Sequence, residues 1–180
     1  QAMRSAGTPN NNDAAQNVAV GSKALTAILD GDNNVAVGYL AGAAITTGGA
    51  NVILGSFAGD ALQTTYNHVI IGYGAGSAAI TNHGQTLVGY YAGYAITSGE
   101  RNTALGYHAL SNLTVGDDNI AIGYQALEHL GTSTHANRNI AIGTYAMISA
   151  ANNNINDNIA IGFSALSQSI HSDGDANVAI

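Results

Sequence analysis

The 180-residue chain contains no cysteine and no tryptophan, a single proline, and only four lysine or arginine residues. Without cysteine it forms neither disulfides nor thiolate metal sites, and its cysteine content does not indicate a cellular compartment. The four cations, Arg4, Lys23, Arg101 and Arg138, are scattered, and the formal net charge is −7. A nucleic-acid groove needs clustered cations, so we expect no nucleic-acid partner. No apolar run approaches the ~20 residues of a membrane helix, so we predict no membrane insertion in this segment.

What the chain does contain is glycine at a fixed spacing. Nine glycines follow similar short sequences, at Gly21, Gly38, Gly55, Gly72, Gly89, Gly106, Gly123, Gly143 and Gly162. Neighbours are 17 residues apart six times, and the last two intervals are 20 and 19 residues. This period predicts an all-β fold, a parallel β-roll or β-solenoid of about ten rungs over residues 17–180. We interpret residues 1–16 as a polar lead-in or an expression remnant, and expect the chain to be a piece that ends within its last repeat.

The three residues before each glycine predict a short strand that is apolar on both faces. The residues one and three before the glycine are mainly β-branched or aliphatic, and we expect them to fill the inside of the coil. The residue between them points to the other face and is never polar, which predicts that this face is covered by another copy of the chain. The candidate oligomer-interface residues are Ala19, Ala36, Ile53, Ile70, Leu87, Ala104, Ala121, Ala141 and Ala160.

Two further positions of the repeat are nearly constant. The residue four before the glycine is asparagine in eight of ten repeats, with His68 and Gln85 as replacements. Stacked carboxamides predict a ladder of hydrogen bonds from rung to rung, with a glycan-binding row as the alternative. The residue three after the glycine is always alanine, which predicts close packing against a neighbouring segment.

An aromatic residue usually follows the glycine and is the best candidate for a binding surface. The candidate residues are Tyr39, Tyr73, Tyr90, Tyr91, Tyr107, Tyr124 and Phe163. A ladder of tyrosines is suited to stacking on sugar rings and to donating hydroxyl hydrogen bonds. The alternative is that the rings pack between neighbouring subunits. The longer turns at residues 131–138, 150–157 and 168–175 are a second place for recognition.

The repeat resembles that of known surface fibres. Asn-Val-Ala-Val-Gly at residues 34–38 and Asn-Ile-Ala-Ile-Gly at residues 119–123 resemble the head repeats of trimeric autotransporter adhesins of the YadA type. Asn-Thr-Ala-Leu-Gly-Tyr-His-Ala-Leu at residues 102–110 is similar to repeats of phage tail fibres and bacterial surface fibres. The resemblance covers residues 17–180 and implies a left-handed homotrimer, extracellular on a virion tail fibre or a bacterial cell surface. It also implies attachment to a glycan or protein receptor. The 17-residue period is longer than the usual adhesin-head repeat, so a larger cross-section is expected.

No motif in the sequence predicts catalysis. The six histidines fall at different repeat positions, and neither His-Glu-x-x-His nor a nucleophile elbow occurs, so we predict no enzyme and no cofactor. A metal on a symmetry axis and calcium at Asp30/Asp32 or Asp173/Asp175 are the alternatives. The sequence favours a structural and adhesive fibre segment. The alternatives are a pure spacer or filament, an ice-binding β-solenoid and a glycan depolymerase, although the threonines expected for ice binding drift in position.

Overall fold

The computed structural model describes residues 14–130, 136–150, 155–167 and 176–180, which form a parallel β-solenoid. Within these ranges there is no helix, and therefore none able to cross a membrane. The strands are β1 (Val18–Val20), β2 (Val35–Val37), β3 (Val52–Leu54), β4 (Val69–Ile71), β5 (Thr86–Val88), β6 (Thr103–Leu105), β7 (Ile120–Ile122), β8 (His129–Leu130), β9 (Ala136–Asn137), β10 (Ile140–Ile142), β11 (Ser149–Ala150), β12 (Ile155–Asn156), β13 (Ile159–Ile161) and β14 (Val178–Ala179).

Ten of these strands form one parallel sheet, in the order β1 to β7, then β10, β13 and β14. Each strand pairs with the strand of the next repeat at the equivalent residue, as in Val35 with Val52 and Ala36 with Ile53. Every column of the repeat therefore becomes a ladder along the solenoid axis. Nine steps at the ~4.8 Å strand spacing give a sheet roughly 43 Å long. In the longer repeats β8 pairs with β11 and β9 with β12.

The face of the sheet that lies inside the coil is the opposite of the predicted one. The central residue of the strand is fully buried within a single chain from Ala36 to Ala160, and Ala19 in the first strand and Ala179 in the last are partly exposed. The flanking residues point outward, and Val18 and Val20 are 49% and 55% exposed. The prediction that the flanking residues fill the core is therefore wrong. The central residues predicted to form an oligomer interface instead point into the core of a single chain, so that prediction is wrong as well. These residues are Ala19, Ala36, Ile53, Ile70, Leu87, Ala104, Ala121, Ala141 and Ala160.

The core is filled by side chains whose sizes compensate across the coil. The residue four after the glycine is leucine or methionine in most repeats whose central strand residue is alanine, as with Leu110 and Ala104. The exception is Gly42, where a Cβ would lie 3.0 Å from Ile53 of the next rung. The residue at this position is glycine where the central residue is large: a Cβ on Gly76 would lie 3.0 Å from Leu87 and 3.1 Å from Ile70. Because interiors are close-packed, one column must shrink where the other grows. The invariant alanine and an Ile or Leu seven residues after the glycine complete the core, and Ala24 to Ala146 in the alanine column are fully buried.

The anchoring glycines are required by close contact between rungs. A Cβ on Gly72 would lie 2.2 Å from the carbonyl oxygen of Gly89, and the φ of Gly72 is +133°. No side chain fits between backbones at that distance, and such a φ is rarely adopted by other residues. The repeated glycine thus fixes the stacking distance at the end of each strand.

The predicted asparagine ladder is confirmed. Asn102 Oδ1 accepts hydrogen bonds from the backbone N–H of Asn119 at 3.0 Å and from its Nδ2 at 2.9 Å. Asn119 Nδ2 also donates to the Ala136 carbonyl in the turn. The same pattern links Asn17 to Asn34 and Asn51, and Asn119 to Asn139, Asn158 and Asn177. These buried carboxamides satisfy the turn carbonyls that would otherwise be unpaired inside the coil.

Candidate functional site

The outward face of the ten-stranded sheet is apolar along its whole length. It is formed by the residues one and three before each glycine position, from Val18 and Val20 to Val178 and Ile180. Only two of these twenty positions are polar, Thr86 and Thr103, and none of the twenty is buried within the chain. A contiguous apolar patch of this extent is unusual on a monomer and indicates an interaction surface.

Beside the strands, the aromatic residues form a stacked ladder. The rings of Tyr73, Tyr90, Tyr107 and Tyr124 lie almost parallel, with centroids 5.0–5.5 Å apart and interplanar angles of 7–12°. Each inner ring therefore has a parallel ring on either side, and the residues stay partly exposed, Tyr90 at 41% and Tyr107 at 45%. Tyr39 lies outside this stack, at the other side of Phe57. Phe163 reaches the ladder through Tyr145 and is 76% exposed.

Two clefts lie next to this ladder and share one wall, made of Tyr91 and Tyr94. The first cleft has a volume of 280 Å³ and also contains Asp60, Gly74 and Ser77 in its lining. The second has a volume of 340 Å³ and is lined in addition by His108, Ser111 and Asn112. The rings of Tyr91 and Tyr94 meet edge to face, with centroids 4.9 Å apart. Tyr91 and Tyr94 therefore separate the two clefts, and we call this pair of residues the partition.

One column of the repeat explains why the clefts open here. Five residues after successive glycines the chain carries Asp60, Ser77, Tyr94, Ser111 and Glu128. Tyr94 is thus flanked along the rod by two serines, which are too small to cover its ring. Ser77 Oγ lies within hydrogen-bonding distance of the carbonyl oxygens of Phe57 (2.8 Å) and Gly74 (3.0 Å), so its side chain lies against the backbone.

Gly74 contributes to the first cleft by having no side chain. Its φ is +61°, and the equivalent residues Phe57, Tyr91 and His108 have φ of 58°, 51° and 55°. The backbone at this position therefore accepts side chains, and glycine is not needed for the turn. A Cβ on Gly74 would lie 2.3 Å from Cε1 of Tyr91, so the Tyr91 ring occupies the space that a side chain would fill.

A partly buried carboxylate lies in each half of the site. Burial raises the pKa of Asp60 above its ordinary value, an effect that the Ser77 hydroxyl and nearby backbone amides partly offset, and Asp60 Oδ1 is buried without a hydrogen-bond partner. Glu128 is only 5% exposed. Its Oε1 lies 3.1 Å from His108 Nδ1, and its Oε2 is buried without a hydrogen-bond partner.

The hydroxyls of Tyr91 and Tyr124 keep their protons at neutral pH. Burial raises the pKa of Tyr91, and the neighbouring Tyr90 and Tyr73 raise it further. The pKa of Tyr124 is raised in the same way, by burial and by Tyr145 and Tyr107. These hydroxyls are therefore available as hydrogen-bond donors.

Arg101 and Arg138 lie outside the two clefts and form ion pairs with acidic residues of the next rung. Arg101 makes two hydrogen bonds to the Asp118 carboxylate, at 2.7 and 3.0 Å, and also pairs with Glu100. Arg138 binds Asp157 in the same two-bond manner, at 2.6 and 2.8 Å. These guanidinium groups hold the pKa of Asp118 and of Asp157 below the usual value. No lysine or arginine lines either cleft.

No metal centre is formed by the part of the chain that the structure describes, since no three His, Asp or Glu side chains there group together. Asp32 Oδ1 accepts a hydrogen bond from the backbone N–H of Ala15. The second calcium candidate, Asp173/Asp175, lies outside the described residues. Most of the three longer turns named above also lies outside them.

The sequence located this region only in part. Tyr91 lines both clefts and Tyr73 lines the first, whereas Tyr90, Tyr107 and Tyr124 are ring-stacking members of the ladder. Sequence reasoning missed Asp60, Ser77, Ser111, Asn112 and Glu128. Reading the fifth residue after each glycine as a column would have identified four of them.

No protein-family model matches the chain, and neither a curated protein nor a solved structure matches it.

Proposed function

We propose that this chain is a segment of a trimeric extracellular fibre, on a virion tail or a bacterial surface, that mediates attachment to a host or another surface. The observation that carries the proposal is the outward apolar face of the sheet. Valine, leucine and isoleucine occupy eighteen of its twenty positions over ten strands, and a lone chain leaves them in contact with water. Self-association about a common long axis covers such a face and leaves the other sides of the rod exposed.

The regularity of the face supports a second copy of the same chain as its partner. Equivalent residues stack in register from β1 to β14, so the surface is uniform along the axis. A matching rod of equal length covers it from end to end, which a compact globular partner does not. The trimeric state itself is the part of the proposal that comes from the resemblance of the repeats.

Sedimentation equilibrium of the purified chain tests the assembly. We expect three copies of the 18.1 kDa chain, and dissociation in Ile71→Lys, because a lysine on β4 would bring like charges together at the interface. Ala79→Lys adds the same charge at an exposed residue outside the strands and should leave the trimer intact. A wild-type chain that sediments at micromolar concentration as a folded monomer would overturn the proposal.

A further inference from the structure

We propose that Tyr91 and Tyr94 form the centre of a binding site for an uncharged saccharide, with one sugar unit in the cleft on each side. The proposal rests on the attachment function proposed above and names the ligand class of that attachment. It assigns the contact to one short part of the rod rather than to the whole aromatic ladder.

Stacking, not exposed area, separates Tyr94 from the ladder, because the exposed fractions of these tyrosines are similar. Tyr90 has the parallel rings of Tyr73 and Tyr107 on either side, at centroid distances of 5.5 and 5.0 Å, whereas Tyr94 meets Tyr91 edge to face. Tyr94 has serines on both sides in its column, is 47% exposed and lines both clefts. Sugar rings present a face of C–H groups that packs against an aromatic ring, and this packing requires an uncovered ring of the kind Tyr94 provides.

The polar groups around the partition suit hydroxyls. Asp60 places a carboxylate in the lining of the first cleft, where it can accept a hydrogen bond from a ligand hydroxyl. In the second cleft His108 and Ser111 lie against the buried Glu128 carboxylate, and the Asn112 amide offers both a donor and an acceptor. A saccharide carries many hydroxyls that both donate and accept.

Charge excludes acidic sugars. Neither cleft has a lysine or arginine in its lining, and both have a carboxylate in or behind the wall. Arg101 is already bound to Asp118, one rung away in its own column. A sialylated or sulfated glycan would therefore meet negative charge without a counter-charge, so the ligand is an uncharged saccharide.

The spacing of the carboxylates points to binding rather than cleavage. Asp60 and Glu128 occupy the same position of repeats that are four rungs apart, which is roughly 19 Å at the strand spacing. Glycosidases place their two carboxylates about 5–10 Å apart. Asp60 lines only the first cleft and Glu128 lines neither, so the two carboxylates do not act together on one glycosidic bond.

Saturation-transfer NMR and calorimetry with oligomers of glucose, galactose, mannose and N-acetylglucosamine test the proposal. We expect binding to at least one of them that persists from about 0.15 M to about 1 M NaCl, because the contacts are not between full charges. Tyr94→Ser makes the column uniform with Ser77 and Ser111 and should weaken binding about tenfold or more. Tyr66→Ser removes an exposed tyrosine ring that lines neither cleft; it is the control and should bind like the wild type.

A second variant tests the first cleft together with Tyr91. Gly74→Gln places at residue 74 the side chain that Gln125 carries at the equivalent position with φ of 54°, so the backbone should accept it. Its Cβ would lie 2.3 Å from Cε1 of Tyr91, so that ring must shift as the glutamine fills the first cleft, and binding should weaken. Sedimentation of each variant is measured alongside, so that loss of assembly is told apart from loss of the ligand contact.

The contrary outcomes are distinct. A trimeric wild type that binds none of these oligosaccharides, or that binds only sialylated ones, would overturn the saccharide site and leave the fibre assembly standing. Binding of a lysine-rich peptide that disappears in high salt would make the site a cation-binding surface instead and overturn it too. If Tyr94→Ser dissociates the trimer, the ring is a subunit contact and the proposal fails. If the wild type is a monomer that binds saccharide, the proposed site stands and the proposed fibre assembly is overturned.

Discussion

His68 Nδ1 accepts a hydrogen bond from the backbone N–H of Gln85 at 3.2 Å, in the middle of the buried asparagine ladder. This bond requires that Nδ1 carry no proton, so the ring is held in the tautomer with hydrogen on Nε2. Nε2 has no hydrogen-bond partner, although the Asn82 carbonyl lies near enough to favour the protonated ring slightly. His68 is therefore the one place between Asn51 and Asn102 where a charge change would break the ladder.

Acid should destabilise the solenoid through His68. Burial, and to a smaller extent nearby His83, lower the pKa of this residue from 6.5 to about 4. The unfolded chain then binds more protons than the folded chain between pH 6.5 and pH 4, so stability is full above pH 6.5 and falls as the pH drops to 4. The loss is on the order of 3 kcal/mol at most. Urea unfolding at fixed chain concentration between pH 4 and pH 7 measures it, and a flat profile would contradict the assignment.

His68→Asn should stabilise the chain and remove most of this pH dependence. An asparagine would accept the Gln85 N–H bond and donate from Nδ2 to Asn51 Oδ1 and toward the Asn82 carbonyl, as Asn119 does in its own rung. We expect a gain of about 1 kcal/mol at pH 7. The reverse change, Asn119→His, is the matched control and should destabilise. Equal stability of wild type and His68→Asn at pH 5 would count against the ladder argument.

Two adjacent residues of β7 distinguish the inner from the outer face. Ala121→Asp places a carboxylate in the core, where no partner awaits it, and should cost about 3 kcal/mol or more. Ile122→Asp places the same group on the outward face, where it should weaken association between chains and leave the β-sheet circular dichroism of each chain in place. Urea unfolding together with sedimentation separates the two effects. If Ile122→Asp unfolds the chain and Ala121→Asp does not, the inner and outer faces have been exchanged.

Two glycines should respond differently to alanine. Gly89→Ala would bring a Cβ within 2.2 Å of the Gly106 carbonyl oxygen at a φ of +142°, so we expect a loss of about 3 kcal/mol or more. Gly74→Ala meets only the ring of Tyr91 and keeps a φ that its column tolerates, so about 1 kcal/mol is expected. NMR shifts of Tyr91 should change in Gly74→Ala. Similar losses in both variants would mean that the contact between rungs is looser than described.

The regular features of the chain were predictable because they repeat. The 17-residue spacing, the strands ahead of each glycine and the ladder through Asn102 and Asn119 all follow from residues that recur at one position. The clefts were not predictable in the same way. They depend on Gly74 and on serines on either side of Tyr94, single departures from the repeat whose effect appears only when neighbouring rungs are stacked.

The sequence by itself determined that this chain is a parallel β-solenoid with apolar residues on both faces of its strands. Only the tertiary structure decided which face lies inside, because a three-residue strand such as Val35–Val37 has no polar alternation to mark its outer side. The interior is narrow, so alanine at residues 36 and 104 fits there and the β-branched neighbours are turned outward. The sequence also holds an indication of the inner face, because the small Gly76 accompanies the large Leu87 on the other side of the coil. That indication can be used only once the two columns are known to be in contact.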